Sequence, residues 1–332
     1  PIPKLLYFVL FSVFWMKPEG YHLVSILLFS LSIICLYLIQ RRLGIARLHA
    51  WLWSAVFAVL SIHHENIYWI SGLSSLLATA FLLGGILCFV VRRIYLGTVL
   101  IFLSMLSHDS MLVAPLIVFL LRRDAFILIL IPVYWLMRSS AGALIPSGDY
   151  GYNVSKFFVN SIANTIGYIM SIPIGPRGIM YVQKLRESLR SYVLLLSAAG
   201  LVLVPFVVLF FAKARKHKQL LVWFVCFLLS LGAYLGLGGI AERNAIIPSV
   251  FFILFLSSLT VSFWKNVRSA VLLCILLGVL IGWNYRELKA SAGDWLIASR
   301  ISQQTLLSIR QSFFPLERPT VFAFVNTPIR YG

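Results

Sequence analysis

The stretch LSSLLATAFLLGGILCFVVRR, residues 73–93, decides the fold class. Its first 19 residues carry no charge, close to the ~20 apolar residues that a helix needs to cross the ~30 Å hydrocarbon core of a bilayer. The basic pair Arg92-Arg93 follows at once. An apolar run that ends in arginines is typical of a transmembrane helix whose last turn reaches the cytoplasmic surface.

The rest of the chain has the same character. Hydrophobic residues make up 61% of the 332 positions and charged residues 11%, with a mean hydropathy of +0.94, whereas a soluble domain is about 25% charged. The net charge of +18 comes from short basic clusters between apolar runs. This distribution favours loop anchors over a nucleic-acid-binding face. We therefore predict an all-α, polytopic transmembrane bundle that sits in the lipid bilayer and binds no nucleic acid.

About ten apolar segments qualify as candidate spans. They are residues 21–40, 49–62, 73–91, 94–107, 111–121, 125–137, 192–211, 219–237, 245–264 and 269–283. Two further apolar stretches, Leu5–Trp15 and Phe157–Pro173, are interpreted as helices at the outer membrane surface. The first is too short to cross, and counting the second as a span would place the basic cluster of residues 213–218 outside the cell.

The basic breaks between spans alternate with breaks that are nearly free of Lys and Arg, which places the basic breaks in the cytoplasm. The domain organisation follows from this orientation. It comprises an extracytoplasmic juxtamembrane segment (1–20), a six-span module (21–137), an extracytoplasmic loop with an interfacial helix (138–191), a four-span module (192–283) and a short extracytoplasmic tail (284–332). The protein is thus expected in the plasma or inner membrane of a bacterium, or in the endoplasmic reticulum of a eukaryote.

Three polar groups are expected on the extracytoplasmic side: IHHEN (62–66), His108-Asp109 and AERN (241–244). Ionisable groups near the membrane plane are costly and usually face a cavity or one another. A cavity lined by His63, Glu65 and Asp109 would hold groups able to move a proton. Arg243, with Glu242 and His108 beside it, would bind a phosphate.

Structural explanations stay open beside this one. Glu242 and Arg243 can pair with the other groups and lock helices together. His63 and His64 can serve as helix-end packing, which we weigh above catalysis. No ligand spacing supports a metal site, so no metal ligand is assigned, and a divalent cation is the one cofactor left open.

The three polar segments resemble the membrane O-mannosyltransferases that carry tetratricopeptide-repeat tails. FAVLSIHHENIYWISGLSSLLA (57–78) is similar to that family's loop in which His-x-Glu precedes a glycine, and His63, Glu65 and Gly72 fall on the pattern. LSMLSHDSMLVAPLI (103–117) matches its short break with a basic–acidic pair. GIAERNAIIPSV (239–250) resembles its Ala-Glu-Arg followed by Pro-Ser, the most specific of the three.

The resemblance implies a GT-C fold: a polytopic glycosyltransferase that takes a sugar from a polyprenyl-phosphate donor on the extracytoplasmic face. The acceptor would be a protein, a lipid or a glycan. The family's catalytic acidic residue lies in the loop after its first span, and only the end of that loop, with Glu19, is present here. We therefore expect the base upstream of Pro1.

Two other functions were weighed. A GT-C-like scaffold without a catalytic loop would be a structural subunit among other membrane subunits. A lipid-carrier transporter would require polar groups at the membrane midplane and internal repeats, and the sequence shows neither.

Overall fold

The computed structural model describes residues 1–15, 17–142, 157–177, 218–235, 240–261 and 266–313. Within these ranges all regular elements are helices, and none is a strand. The α-helices are α1 Ile2–Phe14, α2 Pro18–Arg42, α3 Arg47–Val59, α4 His64–Tyr68, α5 Leu73–Val90, α6 Ile94–Ser107, α7 Ala114–Arg122, α8 Leu130–Ser140, α9 Phe157–Ile174, α10 Lys218–Leu235, α11 Ile246–Thr260 and α12 Val267–Phe313. Short 3-10 turns cover Ser61–His63, Ile70–Gly72, Asp109–Val113, Ala125–Ile129 and Glu242–Ala245.

Four helical segments of the described residues are long and apolar enough to cross a membrane, as expected of an integral membrane protein. They are Pro18–Arg42, Ile70–Val90, Glu242–Thr260 and Val267–Ile309. The predicted count of about ten spans is not supported, because the other predicted spans form helices of 9 to 18 residues within the described ranges. The predicted span 192–211 lies outside the described residues.

The longest helix, α12, differs most from the prediction. The sequence predicted a span that ends at residue 283 and a tail from 284, but the helix runs on to Phe313 over 47 residues, about 70 Å. A tail that begins at 284 is therefore not supported. The physical reason is that residues 284–313 contain no proline and only one glycine, Gly293. The fall in hydropathy marks a membrane boundary, whereas nothing in this stretch stops a helix.

Close packing of α5 on α6 depends on two glycines. A Cβ added to Gly85 would lie 3.3 Å from the carbonyl oxygen of Gly97, and a Cβ added to Gly97 would lie equally close to that of Gly85. Ser104 of α6 donates a hydrogen bond to the carbonyl oxygen of Ala78 in α5 (2.7 Å). Small residues at such a crossing bring backbones together, which is how apolar helices associate without a hydrophobic driving force between them.

The start of α11 is enclosed by other helices, since the consecutive residues Ile246–Phe251 are all buried. Burial of every side of a helix is typical of a central element. This helix packs against α3, α5 and α10, and the ring of Phe251 stacks on Trp223 of α10 at a centroid distance of 6.4 Å. Polar groups that meet at the first turn of α11 therefore have a fixed framework around them.

The turn before α4 is held by α9 and α12. Asn284 Oδ1 accepts hydrogen bonds from the backbone N–H and the hydroxyl of Ser61, both at 2.9 Å, while its Nδ2 donates to the carbonyl oxygen of Pro173 (2.9 Å). Gly175, in the left-handed region with φ +88, faces the Ser61 hydroxyl so closely that a Cβ there would overlap it. One asparagine thus ties three segments together at the base of the candidate site.

Candidate functional site

The polar segment of residues 61–72 folds as the short helix α4 between two 3-10 turns, and one glycine permits its compact return. A Cβ on Gly72 would lie 2.8 Å from both Cα and the carbonyl oxygen of Asn66, a distance at which something must move. Gly72 therefore lets the backbone fold back against α4. This compact arrangement presents three consecutive residues, His63, His64 and Glu65, toward the segment that begins α11.

His63 lies in the packed interior. Its Nε2 is 2.7 Å from the Ser249 hydroxyl, and this hydroxyl in turn donates to the carbonyl oxygen of Ile246 (2.7 Å), so the His63 Nε2–H is the donor. The ring packs on Phe29 and Phe57 and is 0% exposed. Burial lowers its pKa to about 3, with a further contribution from His64. His63 is therefore neutral, and we assign it to positioning because its ring does not reach the surface.

His64 faces Glu242. The distance between His64 Nε2 and Glu242 Oε2 is 3.1 Å, and His64 Nδ1 lies 3.0 Å from the carbonyl oxygen of Ser61. The ring of Trp295, from α12, packs edge-on against it at 6.4 Å. Burial lowers the pKa of His64, while the hydrogen bond to the Ser61 carbonyl and the charges of Glu65 and Asp294 raise it by a smaller amount. Asp294 of α12 thus adds a negative charge to the site, although the sequence predicted this region as a tail.

Glu65 and Arg243 form the second pair. Glu65 Oε2 accepts the backbone N–H of Arg243 at 2.9 Å, and Oε1 lies 3.7 Å from the guanidinium Nη1. The guanidinium also lies over the ring of Trp69, 5.2 Å from its centroid, a cation–π geometry. Glu65 therefore supplies an acceptor to a backbone donor in the turn that leads into α11.

His108 joins the same region through its electrostatic interaction with Arg243. Burial lowers its pKa most, Asp109 raises it, and the positive charge of Arg243 lowers it further. The backbone N–H of Ser110 donates to His108 Nδ1 (3.3 Å), so the hydrogen of the neutral ring is on Nε2. His108 is thus a hydrogen-bond donor near the guanidinium. We call His64, Glu65, His108, Glu242 and Arg243 the ionic cluster.

Asp109 is turned to other partners. Its Oδ1 accepts hydrogen bonds from the Tyr134 hydroxyl (2.7 Å) and from Arg138 Nη1 (2.5 Å). Partial burial acts to raise the pKa of Asp109, but the hydrogen bonds from Arg138 and Tyr134 outweigh it, so the pKa is lowered. Asp109 is ionised at neutral pH, with its side chain 69% exposed.

The structure brings most of the predicted site residues together. Glu65, Glu242 and Arg243 meet in one cluster with His64, and Glu65 and Arg243 are 178 residues apart in the sequence. His108 is linked to them through its electrostatic interaction with Arg243. His63 is adjacent but buried, and Asp109 lies beside His108 in a separate triad with Tyr134 and Arg138. No group of three or more His, Cys, Asp or Glu side chains among the described residues is arranged to hold a metal ion.

Sequence reasoning missed several members. His64 was interpreted as helix-end packing, although its position between His63 and Glu65 made it a neighbour of both candidates. Trp69, whose ring lies beneath the Arg243 guanidinium, was not among the predicted site residues. Arg138 and Asp294 stood in segments interpreted as a loop and a tail, and no sequence signal connects them to Asp109 or His64.

Fold and cluster together define an all-helical protein with apolar helices able to span a membrane and an ionic cluster at the start of a central helix. Comparisons with known protein families, with curated proteins and with solved structures gave no match. The function of the chain is therefore inferred from the residues of the cluster.

Proposed function

We propose that the chain is a membrane glycosyltransferase of the GT-C type, a polytopic bundle of about ten spans. It would transfer a sugar from a polyprenyl-phosphate-linked donor to a protein, lipid or glycan acceptor on the extracytoplasmic face. The observation that carries the proposal is the convergence of the three resembling segments. Each contributes at least one side chain to the ionic cluster: Glu65, His108 and Arg243.

Arg243 is the proposed phosphate-binding residue. Its 3.7 Å separation from Glu65 Oε1 is longer than a hydrogen bond, so a phosphate group, with greater charge, can compete for the guanidinium. Charge-assisted contacts between arginine and phosphate are among the stronger polar interactions in proteins. His108, a neutral donor beside it, adds a second hydrogen bond to the leaving phosphate without adding charge.

The carboxylates provide the complementary chemistry. Glycosyl transfer with inversion requires a base that removes the proton of the acceptor hydroxyl and cationic donors that stabilise the departing phosphate. Glu65 and Asp109 stay candidates for lining the acceptor side, and His63 holds the segment in place through Ser249. A base upstream of Pro1 is the expectation that the resemblance gives.

The test is sugar transfer from a polyprenyl-phosphate donor by membranes that contain the full-length protein. Arg243→Ala should reduce transfer by roughly 100–1,000-fold, the usual cost of removing a group that stabilises transition-state charge, and should abolish binding of the donor. The matched control is Arg122→Ala, which removes the same charge from an exposed position at the end of α7. Unchanged donor binding in a folded Arg243→Ala protein would reject the phosphate role.

A structural subunit of a larger membrane assembly is the second candidate, favoured by the pairing of opposite charges: Glu65 with Arg243, His64 with Glu242, and Asp109 with Arg138. Such pairs can lock helices together. The charge-reversed double variant Glu65→Arg/Arg243→Glu discriminates between the two. The structural-subunit role would be favoured if the double variant assembles fully with its partner subunits and the wild-type protein shows no transfer activity. Loss of a measurable transfer activity in the correctly assembled double variant would favour the enzyme.

A further inference from the structure

The hydrogen positions on His64 follow from its neighbours. His64 Nδ1 lies 3.0 Å from the carbonyl oxygen of Ser61. A carbonyl oxygen only accepts hydrogen bonds, so Nδ1 carries a hydrogen. In a neutral imidazole the other nitrogen, Nε2, would then present a lone pair, and this nitrogen lies 3.1 Å from Glu242 Oε2.

Two lone pairs do not remain at that distance, so a proton lies between them. It is either on Nε2, in an imidazolium–carboxylate pair, or on Oε2, in an imidazole–carboxylic acid pair. Both forms of the pair have no net charge. This matters in a site where the His64 side chain is only 10% exposed and that of Glu242 24% exposed, because burying an unpaired charge is far more costly.

Among the described residues, charged groups on α4 and α12 act on this proton. Glu65 on α4 and Asp294 on α12 are carboxylates that favour the protonated ring. His63, on the preceding turn, is neutral, and Arg243 follows Glu242 in the chain. Within the described part of the chain, Glu65 and Asp294 thus act against burial, which lowers the pKa of His64, and help the pair to keep its proton.

We propose that His64 and Glu242 are the acid–base pair of this site, with Glu242 as the catalytic base and His64 as its positioning residue. The proposal rests on the proposed glycosyl transfer and places the base within this chain. The acceptor hydroxyl oxygen bonds to C1 of the sugar while its proton passes to the Glu242 carboxylate. The bond between C1 and the phosphate oxygen breaks, and the polyprenyl phosphate leaves with the bonding electron pair. His64 keeps Glu242 ionised beforehand by carrying the shared proton on Nε2.

The first experiment detects the proton shared by His64 and Glu242 by NMR and does not depend on transfer activity. The full-length protein is labelled with ¹⁵N-histidine and placed in lipid nanodiscs, and the His64 nitrogens are followed by NMR between pH 5 and 9, with His64→Gln for assignment. We expect Nε2 at pH 7 to be protonated or in a strong hydrogen bond, and Glu242→Gln to shift it to the unprotonated value of a neutral ring. Asp294→Asn, which removes a nearby charge that is not bonded to the ring, should keep the shared proton. A wild-type Nε2 that is already unprotonated and does not respond to Glu242→Gln overturns the shared proton.

The second experiment tests the catalytic role by the transfer assay and its pH profile. Glu242→Gln should lower kcat by about 100–10,000-fold, the usual contribution of a general base, with thermal unfolding and the KM for the donor close to wild type. His64→Gln should lower kcat by a smaller factor and displace the acid limb of the kcat/KM profile. Wild-type transfer by a folded Glu242→Gln protein overturns the catalytic role. Absence of transfer by the wild-type protein overturns the proposed function and the catalytic role with it, while the NMR result decides the shared proton independently.

Discussion

Two polar regions lie along α11, and each joins a histidine of the segment 47–64 to this helix. At its start, His63 bonds to Ser249 next to the ionic cluster. At its end, His49 Nε2 lies 3.0 Å from the carbonyl oxygen of Ser257 and 3.2 Å from the Thr260 hydroxyl. Ser249 and Ser257 are eight residues apart, about 12 Å along the helix axis.

The second region is a network of uncharged groups, which we call the Gln40 network: Gln40, His49, Trp53, Ser54, Ser257 and Thr260. Gln40 donates to the Ser54 hydroxyl (3.0 Å) and accepts from the Ser257 hydroxyl (2.8 Å). Trp53 Nε1 donates to the Thr260 hydroxyl at 3.1 Å. All of these side chains except Thr260 are buried. Hydrogen bonds of this kind hold apolar helices together.

The comparison separates two uses of buried polarity on one helix. The Gln40 network links α2, α3 and α11 through hydroxyl, amide, indole and imidazole groups, with no carboxylate or guanidinium among its members. The ionic cluster places carboxylates and a guanidinium at partial exposure, where a substrate can reach them, and such groups are expensive unless they serve a function. We therefore expect changes in the Gln40 network to alter stability and changes in the ionic cluster to alter chemistry.

The largest expected effect is the pH dependence of stability that comes from His63. Its folded-state pKa of about 3 lies below the ordinary 6.5, so the native state excludes a proton that the unfolded chain binds. Its stabilisation is complete above pH 6.5 and is lost as the pH falls toward 3, by about 1.4 kcal/mol for each pH unit. Thermal unfolding in nanodiscs from pH 7.5 to 5 should show this slope.

His63→Phe isolates that contribution, because His108 also has a lowered pKa and adds to the wild-type slope in the same direction. The variant should flatten the slope by about 1.4 kcal/mol per unit. Gln40→Leu, which removes no titratable group, should leave it unchanged. An equal slope in wild type and His63→Phe would show that the buried ring does not resist protonation.

The second effect concerns Glu65. Glu65→Gln keeps an acceptor for the Arg243 backbone N–H but removes the negative charge beside the guanidinium. We expect transfer to fall by about 10–100-fold because a neutral partner no longer orients Arg243 by charge. The free energy of unfolding should change by less than about 1 kcal/mol, since the pair is partly exposed.

Gln40→Leu is the control for the transfer assay of Glu65→Gln. It should leave transfer within about threefold of wild type, consistent with a role in packing alone. A loss of transfer in Gln40→Leu as large as that in Glu65→Gln would remove the functional distinction between the two regions.

Local elements were predictable from the sequence where charge and hydropathy change together. The predicted segment 94–107 coincides with α6, because Arg92-Arg93 and His108-Asp109 bound it on both sides. α12 could not be delimited in this way, since hydropathy ends near residue 283 while helix propensity continues. Basic–nonbasic alternation predicted Glu65, His108 and Arg243 on one side of the membrane, but only packing shows that Glu65 contacts Arg243.

The finer details of the site depend on contacts that no periodicity encodes. Tyr134 was expected inside a span and Arg138 in a loop, yet both donate to Asp109. The two ring nitrogens of His64 face Ser61 and Glu242, and these partners cannot be identified from the sequence alone. The sequence therefore predicted most residues of the ionic cluster as candidates, but it did not predict which of them pair.

The third effect is the loss of stability from Gln40→Leu. The substitution leaves the Ser257 hydroxyl without its acceptor and removes the donor to Ser54 in a buried place. Unsatisfied buried groups cost about 1–3 kcal/mol, which denaturant or thermal unfolding in detergent can resolve. Adding Ser54→Ala and Ser257→Ala should recover part of the loss, because the orphaned hydroxyls are then removed. No recovery would indicate that the shape of Gln40, and not its hydrogen bonds, holds the three helices.

The smallest effect is expected at Asp109, whose charge is exposed although it has two donors. Its pKa is lowered, mainly because the hydrogen bonds from Arg138 and Tyr134 outweigh burial, so its contribution to stability is present above the ordinary value of 3.8 and is lost as the pH falls below it. With the side chain 69% exposed, water screens the pair, and Asp109→Asn should cost less than about 1 kcal/mol at pH 7. Unfolding at pH 7 and pH 3 should show a difference between variant and wild type that shrinks at the lower pH. A cost above about 2 kcal/mol at pH 7 would place Asp109 with the buried groups that hold the fold, and the proposed acceptor side would then lose its only exposed carboxylate among the predicted site residues.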